Sequence, residues 1–260
     1  MSELTNEQIQ EFKKLESDCE VFSEYFDLAQ DLFYAGDKKW SRETFKKAEK
    51  NIQNFDDCLD LIKAVTDDDC LGDSDWGKNL IEKAMKFSET SASPSLHLME
   101  LGMIVFNDYY FGDSKMAKDI FLKAISCVES EALYESSLCY PLMELADVFI
   151  SEENNGYDDK ILGRKIYDLA LEKARLESFS DTCPFISSDT FFPLRDYGLR
   201  VANKEGLNDT KLAVKVLIES IKIAEKDEYA NIKKNIYDVV EDLLGKDFCN
   251  ELKKENEAQS

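Results

Sequence analysis

A pattern of apolar and small residues recurs five times along the chain. Each copy begins with an aspartate, followed by a leading apolar residue and then a small residue. A large residue stands four positions after the small one, and a second small residue three positions further on. The aspartates are Asp37, Asp73, Asp113, Asp159 and Asp209, and the leading apolar residues are Trp40, Trp76, Met116, Leu162 and Leu212. Offsets of zero, four and seven fall on one stripe of an α-helix, so each copy predicts a helix that an aspartate caps.

The small and large positions of the five copies predict close helix packing. The first small residue is Ser41, Gly77, Ala117, Gly163 or Ala213, and the large residue is Phe45, Ile81, Phe121, Tyr167 or Leu217. The second small residue is Ala48, Ala84, Ala124, Ala170 or Ser220. Small residues on both sides of a large one let a neighbouring helix approach while the large side chain fills the gap. We therefore expect these positions to be buried.

A second helical pattern lies upstream of each copy. A large residue is followed by a small or variable one, and an apolar residue stands four positions after the first. The cases are Leu28-Ala29 with Leu32, Leu61-Ile62 with Val65, Leu101-Gly102 with Val105, Leu145-Ala146 with Phe149, and Tyr197-Gly198 with Val201. Each unit is thus predicted to be two antiparallel helices, and the period of 36 to 50 residues is typical of an α-solenoid. The alternative is an ordinary helical bundle whose repetition is accidental.

The repeated residues resemble the tetratricopeptide repeat, whose signature is W-x-x-L-G-x-x-Y followed by A-x-x-x-F-x-x-A. The first unit matches at the native spacing with Tyr25, Leu28, Ala29, Leu32, Gly36, Ser41, Phe45 and Ala48. Later units add residues between the helices, as Sel-like relatives do. The resemblance covers residues 21–228 and implies an all-α fold: a right-handed α-solenoid of about five helix-turn-helix repeats with N- and C-terminal capping helices. It also implies a protein-binding scaffold.

We expect one repeat domain over residues 1–260. It would consist of an N-terminal helix within 1–20, repeats over 21–228, and C-terminal capping helices with a tail over 229–260. Thr5 and Gln8 are a plausible capping box for the opening helix. The stretch 178–194, with two prolines and four phenylalanines, interrupts the repeat pattern. It is either a functional loop or a packed connector between units.

The charge of the chain restricts its partners. With 54 acidic and 32 basic residues, the net charge is −22. Such a field repels nucleic-acid phosphates and anionic membrane surfaces, whereas it attracts a basic partner. The alternative is that the acidity serves only solubility. The N-terminus has no secretory signal pattern, no apolar run reaches the length of a membrane span, and the seven cysteines are odd in number and scattered. These features favour a cytoplasmic protein.

Few residues suggest chemistry. His97 is the single histidine, and no Cys-x-x-Cys pair accompanies it, so a zinc site lacks ligands. The alternative in the enzyme class is a hydrolase that uses His97 and a cysteine. The segment Asp73-Ser74-Asp75-Trp76-Gly77 resembles the start of a calcium loop, but its glycine comes too early, and Asp73 as a helix cap explains the same letters. We predict no catalytic residue, no cofactor and no metal, and hence no enzyme.

The family resemblance implies that the first helix of each repeat lines a concave face where a partner segment binds. The candidate protein-binding residues are Gln30, Phe33, Tyr34, Met99, Met103, Phe106, Asn107, Tyr140, Met143, Asp147, Arg195, Leu199 and Asn203. The family's basic clamp for C-terminal carboxylates is not reproduced, so an apolar or basic segment is the expected ligand. The competing interpretation is that many of these side chains form core between first helices. A different function class is an acidic immunity or antitoxin-type inhibitor of a basic toxin or nucleic-acid-binding protein.

Overall fold

The computed structural model describes residues 4–128, 138–151, 156–178, 193–203, 207–226 and 230–259, and in these residues the regular secondary structure is all α-helix, with no strand. None of the described helices combines the length and apolarity that crossing a bilayer requires. The helices are α1 (Asn6–Asp18), α2 (Phe22–Tyr34), α3 (Lys38–Lys50), α4 (Phe55–Thr66), α5 (Ser74–Glu89), α6 (Pro94–Phe106), α7 (Ser114–Val128), α8 (Cys139–Ile150), α9 (Lys160–Ser178), α10 (Pro193–Ala202), α11 (Thr210–Lys226), α12 (Ala230–Leu244) and α13 (Lys246–Ala258).

The chain divides into two compact units, an N-terminal unit over Met1–Glu131 and a C-terminal unit over Ala132–Ser260. The N-terminal unit contains α1 to α7, and the C-terminal unit contains α8 to α13. The expectation of one domain over the whole chain stays a prediction. The stretch 178–194 falls almost wholly outside the described residues, so neither interpretation of it is decided.

Helices pair along the chain as the sequence predicts. The strongest contacts join α2 to α3, α4 to α5, α6 to α7, α8 to α9 and α10 to α11. We call the former member of each pair a first helix and the latter a second helix. The closing pair α12 and α13 also packs together, and α1 opens the chain with the predicted capping box, in which Thr5 and Gln8 exchange hydrogen bonds of 2.9 and 3.2 Å. The five predicted hairpins are thus confirmed, three in the N-terminal unit and two in the C-terminal unit.

The same cap begins all five second helices. In each, the aspartate Oδ1 accepts a hydrogen bond from the backbone N–H of the leading apolar residue three positions later, at 2.9 or 3.0 Å. Unpaired N–H groups at a helix start are satisfied in this way, and the positive end of the helix favours the carboxylate. The predicted role of Asp37, Asp73, Asp113, Asp159 and Asp209 is therefore confirmed.

The turn before each cap is also repeated. The residue immediately before the capping aspartate has a left-handed backbone in every hairpin: Gly36, Gly72, Gly112, Asp158 and Asn208, with φ between 47° and 98°. The aspartate's own N–H then donates to a carbonyl of the first helix, at 2.7 to 3.0 Å. That carbonyl always belongs to the predicted apolar position, namely Leu32, Val65, Val105, Phe149 or Val201. Glycine, asparagine and aspartate are the residues that accept left-handed backbone most readily.

The small and large residues of the pattern are buried as predicted. Ser41, Ala117 and Ala213 are fully buried, as are Phe45 and Phe121. At Gly102 on α6, a Cβ atom would lie 2.3 Å from Phe121 Cε1 on α7, so only glycine fits beneath this ring. The two helices of a hairpin therefore approach each other because one presents a small residue opposite a large side chain.

The opening helix α1 has no buried residue of its own, yet it covers the start of α3. Glu16 accepts hydrogen bonds from Trp40 Nε1 and Thr44 Oγ1, both at 3.1 Å, and lies 2.9 Å from Lys47 Nζ. Phe12 meets the Trp40 ring edge to face. Trp76 repeats this arrangement one hairpin later, because its Nε1 donates to Glu49 of α3 at 2.9 Å. The helix α1 thus contacts α3 much as α3 contacts α5.

Candidate protein-binding surfaces

Charge is separated between the two sets of helices in the N-terminal unit. The first helices α2, α4 and α6 carry seven acidic residues and one lysine. The second helices α3, α5 and α7 carry twelve basic and six acidic residues. The formal charge is therefore −6 on one set and +6 on the other. A surface with this separation discriminates between partners by their charge.

An acidic residue precedes the repeated large residue in every first helix: Asp27, Asp60, Glu100, Glu144 and Asp196. In the N-terminal unit, Asp27, Asp60 and Glu100 are exposed and make no hydrogen bond or ion pair within the described part of the chain. Partial desolvation raises the pKa of the Asp60 carboxyl, and the nearby charges of Asp56 and Asp57 raise it further, against the opposing effect of Lys63. These carboxylates are thus available to a cationic partner.

The candidate residues of the N-terminal unit differ in accessibility. Tyr34 is 81% exposed, Met103 is 39% exposed and Asn107 is also exposed. Met99 is buried, so it contacts only its own chain. The remaining three candidates, all half-buried, are Gln30, Phe33 and Phe106. An apolar contact surface is therefore present at Tyr34 and at Met103, beside the unpaired acids.

Two adjacent loops at the ends of α4 and α6 are joined by a side-chain contact. The Tyr109 hydroxyl donates to Asp67 Oδ1 at 2.9 Å, and this hydrogen bond raises the pKa of Tyr109 to about 12. Asn107, one of the candidate residues, accepts the Tyr109 backbone N–H through its side chain at 2.9 Å. Asp67 accepts the N–H of Asp69 in the same way at 2.8 Å. The two loops have the same turn, which fixes the exposed side chain of Tyr109 and the half-buried side chain of Asp67.

In the C-terminal unit, the candidate residues are occupied by internal partners. The Tyr140 hydroxyl donates to Asp196 Oδ2, and burial, aided by this contact, raises the pKa of Tyr140. Arg195 Nε lies 2.8 Å from Asp196 Oδ1, and Arg195 Nη1 donates to Asn235 Oδ1 at 3.2 Å. These contacts link α8, α10 and α12.

Asp147 is held in the same manner. It accepts hydrogen bonds from the Tyr167 hydroxyl and, at 3.1 Å, from Arg200 Nη1. Burial raises the pKa of Asp147 and outweighs these two donors, which lower it. Glu144 lies 3.9 Å from Arg200 as well. The acids of α8 therefore have arginine partners on α10, in contrast to those of α2, α4 and α6.

The other three candidates of this unit vary. Met143 is fully buried, Leu199 is half-buried and packs against the core of α11 to α13, and Asn203 is exposed. Met99 and Met143 occupy the same repeat position, two residues before the repeated leucine, where the side chain is covered in both units. The sequence analysis did not identify the acidic residues that repeat in the first helices. Their pattern is nevertheless visible in the sequence, since an acid stands directly before each repeated leucine or tyrosine.

The residues that sequence analysis considered for metal or acid–base chemistry have structural contacts. His97 stacks on Phe55 with the ring centroids 4.1 Å apart, and its Nδ1 is buried without a hydrogen-bond partner. No group of three or more metal-ligating side chains comes together in the described ranges. Asp73 caps α5 through the Trp76 N–H and pairs with Arg42, and both contacts lower the pKa of its carboxyl. The helix-cap explanation of this segment is thus confirmed.

No protein-family model, no curated protein and no solved structure matches the chain. Function is therefore inferred from the geometry and charge of these residues.

Proposed function

We propose that this protein is a non-catalytic scaffold of the tetratricopeptide-like class, which binds a segment of a partner protein on the first-helix face of its N-terminal unit. We define this face by the exposed or half-exposed side chains of α2, α4 and α6. The proposal includes a right-handed α-solenoid of about five repeats. It also includes a cytoplasmic location, with which the absence of any disulfide among the six described cysteines is compatible.

One observation carries this proposal. Consecutive first helices present unpaired side chains at equivalent repeat positions, because the same turn and cap fix each hairpin. Asp27, Asp60 and Glu100 repeat at one position, and Lys63 and Met103 occupy the position three residues later. A row of equivalent, unoccupied side chains on rigid helices is what an extended or helical ligand requires.

The partner segment we propose is basic and partly apolar. The seven acids and one lysine of the first helices attract cationic side chains, while Tyr34 and Met103 supply apolar contact area. Nucleic acid and membrane are not proposed as partners, because the net charge of −22 repels both. The C-terminal unit contributes less, since its acids on α8 are already paired.

A selection from random peptides tests the proposal while the partner is unidentified. Peptides displayed on phage are selected against the full chain, and those recovered are measured for affinity against Met103→Lys. The matched control is Leu122→Lys, since Leu122 is a second-helix residue that is 42% exposed. We expect binding to fall at least tenfold in Met103→Lys, because the added cation repels a basic segment, and to be unchanged in Leu122→Lys. Equal affinity for both variants, or selection of no peptide, contradicts the proposal.

The acidity of this face also supports a second candidate, an inhibitor that masks a basic toxin or a basic nucleic-acid-binding protein. Such an inhibitor abolishes its partner's activity at equimolar ratio, whereas a scaffold leaves that activity intact. Binding governed by the −6 charge should weaken steeply as salt rises. Salt-independent affinity for a captured partner argues against this candidate.

A further inference from the structure

A groove with basic walls lies between α3 and α5, on the second helices and away from the first-helix face. Its volume is about 630 Å³. The wall on α3 includes Arg42, Lys46 and Lys50, and the wall on α5 includes Trp76, Asn79 and Lys83. Four cations and three carboxylates therefore line the same groove as a tryptophan, in a chain whose net charge is strongly negative.

Three carboxylates also line the groove, and two of them, Glu49 and Asp73, are engaged by the protein itself. Glu49 Oε2 accepts Trp76 Nε1 at 2.9 Å, and Asp73 caps α5 and pairs with Arg42. Asp75 lies in the first turn of α5, where the positive helix end offsets its charge. Glu49 and Asp73 thus have donors within the protein, whereas Asp75 makes no side-chain hydrogen bond or ion pair in the described part of the chain.

Several hydrogen-bond donors that line the groove have N–H groups without a partner among the described residues. Lys50 and Asn79 are exposed and make no hydrogen bond or ion pair in the described part of the chain. Lys83 Nζ donates once, to the Glu49 carbonyl at 2.9 Å, and has two further N–H groups. Lys46 pairs with Glu43 at 2.9 Å, but both side chains are about half exposed, and such pairs exchange partners at little cost. The groove therefore offers donors and requires a ligand that carries acceptors.

The spacing of the cations indicates the form of that ligand. Arg42, Lys46 and Lys50 follow one another at intervals of four residues on α3, which is about 6 Å along a helix axis. Side chains on one face of an extended polypeptide repeat at about 6.6–6.8 Å. Arg42 already pairs with Asp73, so carboxylates on alternate residues of an extended segment would meet Lys46 and Lys50, whereas a single phosphate matches only one of these two positions.

We propose that this groove binds an extended acidic segment of another polypeptide, with carboxylates on alternate residues. The segment lies between the lysines of α3 and Lys83, and its backbone passes beside the indole of Trp76, over which the guanidinium of Arg42 lies 5.3 Å from the ring centroid. The long-range repulsion from the rest of the chain is screened beyond about 8 Å at physiological salt, so the nearby cations decide the binding. This surface is separate from the one proposed for the basic segment, and neither depends on the other.

A synthetic peptide of six Glu-Ser repeats, labelled with fluorescein, tests the proposal by fluorescence anisotropy with the full chain. We expect saturable binding to the wild type and about fivefold weaker binding to the double variant Lys46→Gln, Lys50→Gln. The matched control is Lys78→Gln, Lys86→Gln, which removes two exposed charges of α5 that do not line the groove. Binding to the control should change by less than twofold. In a Trp40→Phe background, the emission of Trp76 should shift when the peptide binds.

Several results would overturn the proposal. They are no binding of the peptide to the wild type, an equal loss in both lysine double variants, or a Trp76 emission that the peptide leaves unchanged. Tighter binding of a twelve-residue oligothymidylate, lost in the Lys46 and Lys50 variant, would assign the groove to nucleic acid instead. Displacement of the peptide by inorganic phosphate at an equal concentration of charged groups would assign it to a small anion.

Discussion

Replacing Gly102 by alanine tests the packing that joins the two helices of a hairpin. The added Cβ would lie 2.3 Å from Phe121 Cε1 and 2.5 Å from Cδ1, which is far inside van der Waals contact. Phe121 is fully buried, so its ring has no solvent space to enter. The helices or the ring must therefore shift, and the packing of α6 on α7 must loosen.

Two opposing effects set the size of the change. Overpacking of a closed core costs about 1–3 kcal/mol, whereas alanine in a helix interior is favoured over glycine by about 1 kcal/mol. The net expectation for Gly102→Ala is a loss of about 1 kcal/mol of unfolding free energy. When Phe121 is first changed to leucine, the contact is relieved, and the same Gly102→Ala change should then stabilise the protein by up to about 1 kcal/mol.

Urea unfolding followed by tryptophan fluorescence measures both effects. Both tryptophans of the chain, Trp40 and Trp76, lie in the N-terminal unit, so their emission reports on the unit that contains the mutation. The four proteins of the double-mutant cycle give a coupling energy that we expect to be about 1–3 kcal/mol. A Gly102→Ala protein more stable than wild type, or a coupling near zero, would show that the Phe121 ring does not cover Gly102.

Three further changes have defined outcomes. Asp158→Gly should raise the unfolding free energy by about 0.5 kcal/mol, because Asp158 has a φ of 47° that glycine adopts without strain; an unchanged or lower urea midpoint contradicts this. The Trp76 N–H and Arg42 lower the pKa of the Asp73 carboxyl, so its charge stabilises the fold above its ordinary pKa of 3.8, and this contribution disappears as the pH falls through the lowered value. Asp73→Asn should therefore cost stability at pH 7 and progressively less as the pH falls below 3.8, and a cost that does not depend on pH would refute it. Ala117→Leu should lower the unfolding free energy by about 1–3 kcal/mol, because Ala117 is fully buried, and a melting temperature equal to that of wild type would contradict that burial.

The local elements of the fold were predictable from the sequence because they depend on residues close together in the chain. The periodic small and large residues predicted the hairpins, and the aspartates predicted the caps. Of the left-handed turn residues, only Gly36 was identified from the sequence, as part of the repeat signature; the same role of Gly72, Asp158 and Asn208 was not predicted. The division into two compact units was not predicted, because it depends on contacts between distant helices.

The candidate surface was less predictable for a related reason. Repeat position alone placed Met99 and Met143 among the accessible residues, yet neighbouring helices cover both. The partners of Tyr140 and Asp147 lie 56 and 53 residues further along the chain, at Asp196 and Arg200, so no local pattern could reveal them. By contrast, the acid before each repeated leucine is a local pattern and could have been found by aligning the repeats.

The repeated turn separates the geometry of a hairpin from the length of its connection. In each hairpin, the backbone N–H of the capping aspartate donates a hydrogen bond to the carbonyl of an apolar residue in the first helix. The two residues are five positions apart for Leu32 and Asp37 and ten positions apart for Phe149 and Asp159. Since both closures lead into the same kind of cap, the connection can lengthen without changing how the second helix starts. These connections are therefore suitable insertion sites for a foreign epitope or a fluorescent reporter. We expect the longest connection to accept an inserted segment with the smallest loss of stability.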